Sequence, residues 1–460
     1  MSIHLIISLI LFTFIAAFHL EKAVLLIILL LPSYLIRFHL LGIPFTFLEA
    51  MIIISFSFWF IKTTKLKLGS WLKNRKKRFP YPFAKEIIII LVAAFISSLI
   101  TNFSSASLGI LKAYFFEPIM LYILILNILP GKSGRNKIIN MLALSALVTA
   151  LFAILQKYTG IFIFNDFWQA TQTRRVVSWF GYPNAIGLFL APIIMIIAGQ
   201  LAALKKDKSR KYYFSLVFFS LTIISSLLAI YFAHSEGALI ALLASTFVFI
   251  FFSGRVGKII TSASFVILFL SVIFIPSLKT LAIDKLTLQD LSGEIRKQQW
   301  RETMMTINKK SFILGNGLSN YQETVTPFHQ EGIFFNRDKM ENFHSILYGN
   351  AQLRAKYWQP VEIYMYPHNI VLNFWSELGL LGLLGFIILI IKFIVKSFLL
   401  FKKNNNLLAL GLLSAMLTII IHGLVDVPYL KNDLSVQFFI ILSLLASLIL
   451  DQKALKEIKI

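Results

Sequence analysis

The side chains in this sequence best suited to chemistry are arginine and histidine. They are Arg174 and Arg175, Arg296, and His368 within Tyr366-Pro367-His368-Asn369. An imidazole takes a hydroxyl proton near neutral pH. A guanidinium's planar fork matches the oxygens of a phosphate or diphosphate and keeps its charge. Cysteine is absent, which removes thiolate nucleophiles, disulfides and cysteine metal sites. No Asp-x-Asp clamp stands in the polar stretches, and no His-Glu-x-x-His, Walker loop or Gly-x-Ser-x-Gly occurs. The expectation is therefore a site with no metal and no cofactor.

Each candidate has a local setting. Pro367 suits a first helical turn, so His368 is expected in the first turn of an apolar helix beginning at about 369. Asn369, Asn373, Ser376 and Glu377 follow on one face of that helix. This polar stripe is either a site or a cap whose polar residues pack against neighbouring helices. Residues 292–310 are expected to be helical, with Arg296, Trp300, Thr303 and Ile307 on one side. An arginine held there needs an anionic or carbonyl partner. Gly315-Asn316-Gly317 reads as a turn. Arg174 and Arg175 either bind phosphate or lie at an interface, paired with Asp166 or Glu236. His234-Ser235-Glu236 is an acid–base pair or a helix cap; His422 and Asp426, at i and i+4, read as a cap.

The elements that must position these residues are membrane helices. Of 460 residues 58% are hydrophobic and only 14% charged, well below the quarter charged in soluble domains. Apolar runs of roughly spanning length occur at about 3–19, 23–40, 44–61, 86–103, 108–129, 138–158, 183–203, 212–233, 237–252, 257–278, 369–395, 406–424 and 434–450. The fold class expected is an all-α polytopic membrane protein of about 12–13 spans. Its parts are N-terminal helices over 1–278, a partly helical loop domain over 279–366 and C-terminal helices over 367–460. The first run lacks a basic leader and a clear cleavage site, so it reads as a retained span.

The net charge of +23 invites a nucleic-acid reading, but its distribution argues against one. The basic clusters at 62–85, 132–137, 205–211, 255–258, 392–403 and 453–459 all fall on one side if the spans alternate. By the positive-inside rule that side is cytoplasmic, with anionic lipids as partners. Residues 159–182, His234–Glu236 and 279–366 then lie outside the cytoplasmic membrane, where so long a loop calls for a function.

Three runs occur in order: R-x-x-S-W-F-G-Y-P-N from Arg175 to Asn184, the pair Arg296/Trp300 leading to L-G-N-G-L-S-N-Y, and P-H-N-x-x-L-N-x-x-x-E-L-G-L-L-G from Pro367 to Gly382. They resemble the O-antigen ligase and O-antigen polymerase superfamily. The resemblance spans roughly Arg175 to Asp426. It implies a GT-C-like glycosyltransferase that uses a glycan on undecaprenyl diphosphate. By that resemblance Arg175 and Arg296 hold the lipid diphosphate, His368 activates the acceptor hydroxyl, and Asn369 and Glu377 orient or support. Many members carry a serine–arginine pair where this chain has Ser235-Glu236; Lys285, Arg301 or Arg174 stands as the substitute cation.

The function expected is transfer of that glycan to an acceptor hydroxyl on a glycolipid, protein or glycan. A polymerase joining lipid-linked repeat units needs the same donor site, so the resemblance does not separate the two. A lipid-linked glycan transporter or flippase would place more charge at mid-membrane than Glu49, Lys112 and Glu117. A non-catalytic scaffold is the remaining rival.

Overall fold

A computed structural model describes residues 3–40, 42–71, 81–204, 206, 207 and 209–457. The basic residues expected at 73–78, 205, 208 and 459 lie outside the described residues. The chain is an all-α polytopic membrane protein. Among the described residues, eight helices are long and apolar enough to cross a membrane: Phe47–Thr64, Ser105–Ile128, Gly131–Thr159, Asn184–Ala202, Arg210–Phe232, Arg255–Phe274, Ile370–Asn404 and Asn432–Ala454. Ile3–Phe18, Glu236–Phe252 and Leu407–Gly423 are shorter apolar helices, and Ala84–Ile100 is a further one of 17 residues.

The expected run at 23–40 is not one continuous helix. It is helical over Leu20–Leu29, turns 3-10 over Leu31–Leu35, and enters a hairpin of Arg37–Leu40 with Ile43–Thr46. Pro32 has no N–H to continue the ladder and serves instead at the start of the tighter turn. The Ser105–Ile128 helix carries a π-turn over Lys112–Phe116.

The core of the bundle packs Leu407–Gly423 against Asn184–Ala202, Arg210–Phe232 against Gly131–Thr159, and Ile370–Asn404 against Ala84–Ile100. The first pair approaches closely at Gly199 and Gly411: a Cβ on Gly199 would lie 2.7 Å from the Gly411 Cα. Helix Asn432–Glu457 runs through the middle, with Phe438, Ile440, Ile441 and Leu444 at 1% exposure or less. Ion pairs tie the helices away from the candidate residues: Lys392–Glu86 at 2.7 Å, Arg135–Asp451 at 2.5 Å and Lys137–Glu21 at 2.5 Å.

The segment after Phe274 is more structured than a loop. Pro276 ends the preceding helix and starts a new one, Pro276–Leu286, followed by Leu291–Thr306. Beyond them a two-stranded pairing of Gly332–Phe334 with Trp358–Pro360 covers a small core of Phe343, Leu347 and Tyr357.

Candidate functional site

Helix Leu291–Thr306 carries much of the site. Asp290 caps it, its Oδ1 accepting from the Gly293 N–H at 3.1 Å. One side of the helix presents Arg296, Gln299, Trp300 and Thr303. Arg296 Nε donates to the Val425 carbonyl at 2.9 Å, and Trp300 Nε1 donates to the Pro367 carbonyl at 3.0 Å. The Thr303 hydroxyl, fully buried, meets the Tyr321 hydroxyl at 2.9 Å. The helix is shorter than expected: it stops at Thr306, leaving Ile307 beyond it as the C-cap. Asn308 and Ser311 take over the backbone there, the Asn308 Oδ1 accepting from Lys310 and Ser311 N–H groups.

His368 is not in the first turn of the following helix. That helix begins at Ile370 with Asn369 as its N-cap, and His368 precedes it in the left-handed region at φ 46°. The reason is the better cap: Asn369 Oδ1 accepts from the Val371 and Leu372 N–H groups at 3.0 and 3.1 Å. A bulky residue at positive φ costs about 1–3 kcal/mol and persists only where its surroundings hold it. Here they do. His368 Nδ1 lies 3.0 Å from Gln299 Oε1, and the Tyr364 and Tyr366 rings stand edge-on at 5.0 and 5.1 Å. With Oε1 accepting, Nδ1 carries the hydrogen and Nε2 presents its lone pair. Burial lowers the imidazole's pKa below 6.5; Asp426 opposes that shift and Arg296 adds to it. The ring is therefore neutral at pH 7.

A cavity of about 620 Å³ lies beside this helix. Arg175 and Arg296 both line it, together with Lys157, Lys285, His234 and His422. His368 does not line it; it sits off to one side, tied to the same helix as Arg296. Arg175 Nε donates to the Ala233 carbonyl at 3.0 Å, and its NH2 reaches Asn184 Oδ1 and the His234 carbonyl, each at 3.3 Å. Burial lowers its pKa, with Glu236 opposing, and at an arginine's range the charge remains. The backbone around Arg175 is locked by fully buried Gln156, whose Oε1 accepts from Val177 and Ser178 N–H groups at 3.0 and 2.6 Å.

Arg174 lines the same cavity but is occupied differently. Its guanidinium donates to the carbonyls of Gln169, Lys157 and Tyr158 at 2.9, 3.1 and 3.3 Å. It thereby satisfies carbonyls at the end of helix Gly131–Thr159, as cations near a C-terminus do. Of the other expected substitutes, Arg301 lies on a separate surface with Lys297, Met304 and Met305. Lys285 is the one at the cavity beside Glu236: its ammonium meets Glu236 at 2.5 Å and Asp290 at 2.9 Å. Burial alone would lower the lysine's pKa, but the two carboxylates outweigh it and raise it.

Three of these groups converge on one short turn after helix Leu407–Gly423. The Leu424 carbonyl accepts from Asn369 Nδ2 at 3.0 Å, and the next carbonyl, Val425, accepts from Arg296. Asp426, 2% exposed, accepts from Asn184 Nδ2 at 3.5 Å, and Asn184 in turn holds Arg175. A Cβ on Gly237 would press on this region, 2.9 Å from the His422 ring and 3.1 Å from Val425.

The two glycine-bearing motifs also meet. Helix Ile370–Asn404 is broken at Gly379, φ 69° and ψ −174°, and the Gly315 turn enters the break. Asn316 N–H donates to the Ser376 carbonyl at 2.6 Å, and Ser97 Oγ to the Glu377 carbonyl at 2.6 Å. A Cβ on Gly379 would stand 2.1 Å from the Ile313 carbonyl, so neither a side chain nor a continuous helix fits. The turn at Gly315-Asn316-Gly317 is thus a docking element as well as a bend.

Residues 221–387 match the family model described as O-antigen ligase. This region belongs to the O-antigen ligase superfamily. A comparison with curated proteins found no match. The family is one of glycosyltransferase-like ligases and polymerases that act on lipid-linked glycans.

The O-antigen ligase region holds Glu236, Arg296, Trp300, His368, Asn369 and Glu377 and excludes Arg174, Arg175 and Asp426. The cavity is therefore completed from both sides of it. Sequence reasoning missed Gln299, which holds the imidazole, and Gln156, which locks the segment after Arg175. Gln299 was open to discovery, since it lies on the Arg296 side of a periodic helix. Lys157 carried no signal separating it from helix-end residues, and Asn184 stood in the Arg175 run without a role assigned. Among the described residues no group of three His, Asp or Glu is arranged to hold a metal.

Proposed function

We propose that the chain transfers a glycan from undecaprenyl diphosphate to an acceptor hydroxyl at the outer face of the cytoplasmic membrane, without a metal. The acceptor oxygen attacks the anomeric carbon, the bond from that carbon to the diphosphate oxygen breaks, and the diphosphate leaves with the electron pair. Arg175 and Arg296 hold the leaving oxygens, each contributing a few kcal/mol, about what a preorganised oxyanion donor supplies. His368 Nε2 takes the hydroxyl proton, worth about 10²–10⁴-fold in rate. Asn369 caps the helix behind it, and Trp300 and Gln299 fix its approach.

The observation that carries this reading is the shared cavity. Two arginines from distant parts of the chain line it, and the helix that supplies one of them also holds a neutral imidazole by Nδ1. Glu236 and Asp290 offset the charges of Lys157 and Lys285, so the net positive charge of the cavity is that of its arginines. The test is glycan transfer from a lipid-linked donor by protein purified from membranes. Arg296→Ala and His368→Ala should each lose at least about 100-fold in kcat/KM. Near-normal transfer by either variant would overturn the mechanism.

A further inference from the structure

A second cavity, of about 610 Å³, opens beside Tyr366, one of the two tyrosines whose rings stand edge-on to His368. Most of its wall comes from outside the O-antigen ligase match: the hairpin through Phe38 and Phe45, the π-turn with Lys112 and Tyr114, and Tyr182. Helix Ile370–Asn404 contributes Asn373 and Glu377, neither of which lines the arginine cavity.

Three features indicate what fits. Asn373 is 1% exposed and its Oδ1 has no hydrogen-bond partner. A buried acceptor left open in this way calls for a donor from elsewhere. The rings of Tyr114 and Tyr366 suit the apolar face of a pyranose, whose hydroxyls can supply such a donor, while Lys112 lies over the Phe45 ring at 4.0 Å. Lys431 is held over the Tyr182 ring at 4.0 Å and forms no ion pair among the described residues. The nearby carboxylate of Glu49 is already taken, by the Thr46 N–H at 2.7 Å, Asn432 at 3.1 Å and Lys112 at 3.3 Å. Along the lining Arg37, Lys112 and Lys431 stand against Glu49 and Glu377, one positive charge in excess, while Asp433 and Asp426 act on Lys431 from outside the lining.

We infer that this cavity binds the acceptor glycan through a sugar bearing an anionic group, a uronate carboxylate or a phosphate ester. The inference rests on the transferase reading for the word acceptor. The donor diphosphate then enters on the Arg296 side and the acceptor on the Tyr366 side, with His368 between the two.

Binding of three probes to the full chain in nanodiscs tests it by calorimetry: tetragalacturonate, a phosphorylated maltotetraose and plain maltotetraose. At least one anionic probe should bind about tenfold tighter than the neutral one, as a charge-assisted contact gives. Lys431→Gln should erase that preference, Arg37→Gln should reduce it, and Asn373→Leu should weaken all binding about tenfold. Whichever anionic probe shows the preference identifies the substituent. Arg296→Gln should leave sugar binding unchanged. The cavity is refuted if no probe binds, or if binding ignores Lys431→Gln and Arg37→Gln, which stands even where Asn373→Leu fails to fold. Probe-indifferent cavity variants alongside transfer lost in Arg296→Gln sink this inference and leave the transferase. Sugar binding that follows the expected pattern in a chain that transfers nothing does the reverse.

Discussion

Replacing Gln299 separates an imidazole that acts as a base from one that merely packs. Gln299 is 3% exposed and its Oε1 stands 3.0 Å from His368 Nδ1. In Gln299→Leu the Nδ1 hydrogen loses its acceptor in a buried place, a cost of about 1–3 kcal/mol. That converts to roughly 5–150-fold in kcat. No charge is added, so the acid limb of the rate profile stays below 6.5, where burial has already put it. In Gln299→Glu a carboxylate replaces the amide at the same distance. An opposite charge this close favours the imidazolium and raises its pKa by about 1–3 units. More of the base is then protonated at neutral pH, so the neutral rate falls and recovers as the medium becomes alkaline. Initial rates of glycan transfer between about pH 5 and 9 show which limb moves. If Gln299→Glu keeps the parent profile and parent kcat, His368 does not accept the proton and the mechanism is wrong.

Other expectations follow from particular contacts. Gly379→Ala should abolish correct assembly, because its Cβ would lie 2.1 Å from a backbone carbonyl at φ 69°; loss of the folded fraction in size-exclusion chromatography would show it. Glu236→Gln should remove one of the two carboxylates on Lys285, leaving Asp290 at 2.9 Å, and lower the KM for the lipid-linked glycan by only about two- to fivefold, since Glu236 is exposed. An unchanged KM would mean that Lys285 does not face the diphosphate. Arg174→Ala should lower the melting temperature while leaving the donor KM within about twofold, since its guanidinium is spent on helix-end carbonyls. A large KM increase would mean that its guanidinium also holds the donor.

How much of this was legible in the sequence depends on what kind of partner a residue has. Helix Leu291–Thr306 was readable because Arg296, Trp300 and Thr303 recur at helical spacing and their partners enforce it. Its end was not, because Asn308 and Ser311 stop it through their own side-chain-to-backbone bonds. Eight of the thirteen apolar runs are helices long enough to cross a membrane and four are shorter helices; at 23–40 one proline and a following hairpin divide a run of suitable composition. His368 was found from its neighbours but put in the wrong conformation. Proline's tolerance in a first turn competed with asparagine's superiority as a cap, and the cap won.

The turn after helix Leu407–Gly423 shows why the assembled site stayed out of reach. Arg296 and Asn369 are held by the Val425 and Leu424 carbonyls, and any residue type offers a carbonyl. Only Asp426 acts through its side chain, and its effect passes through Asn184 to Arg175. A sequence reading registers Asp426 as half of a helix-end pair with His422, because that is the local geometry it can compute. The same three positions set the spacing between both arginines and the residue beside the imidazole. The backbone path of this turn, more than the side chains it displays, decides whether the donors and the base address one substrate.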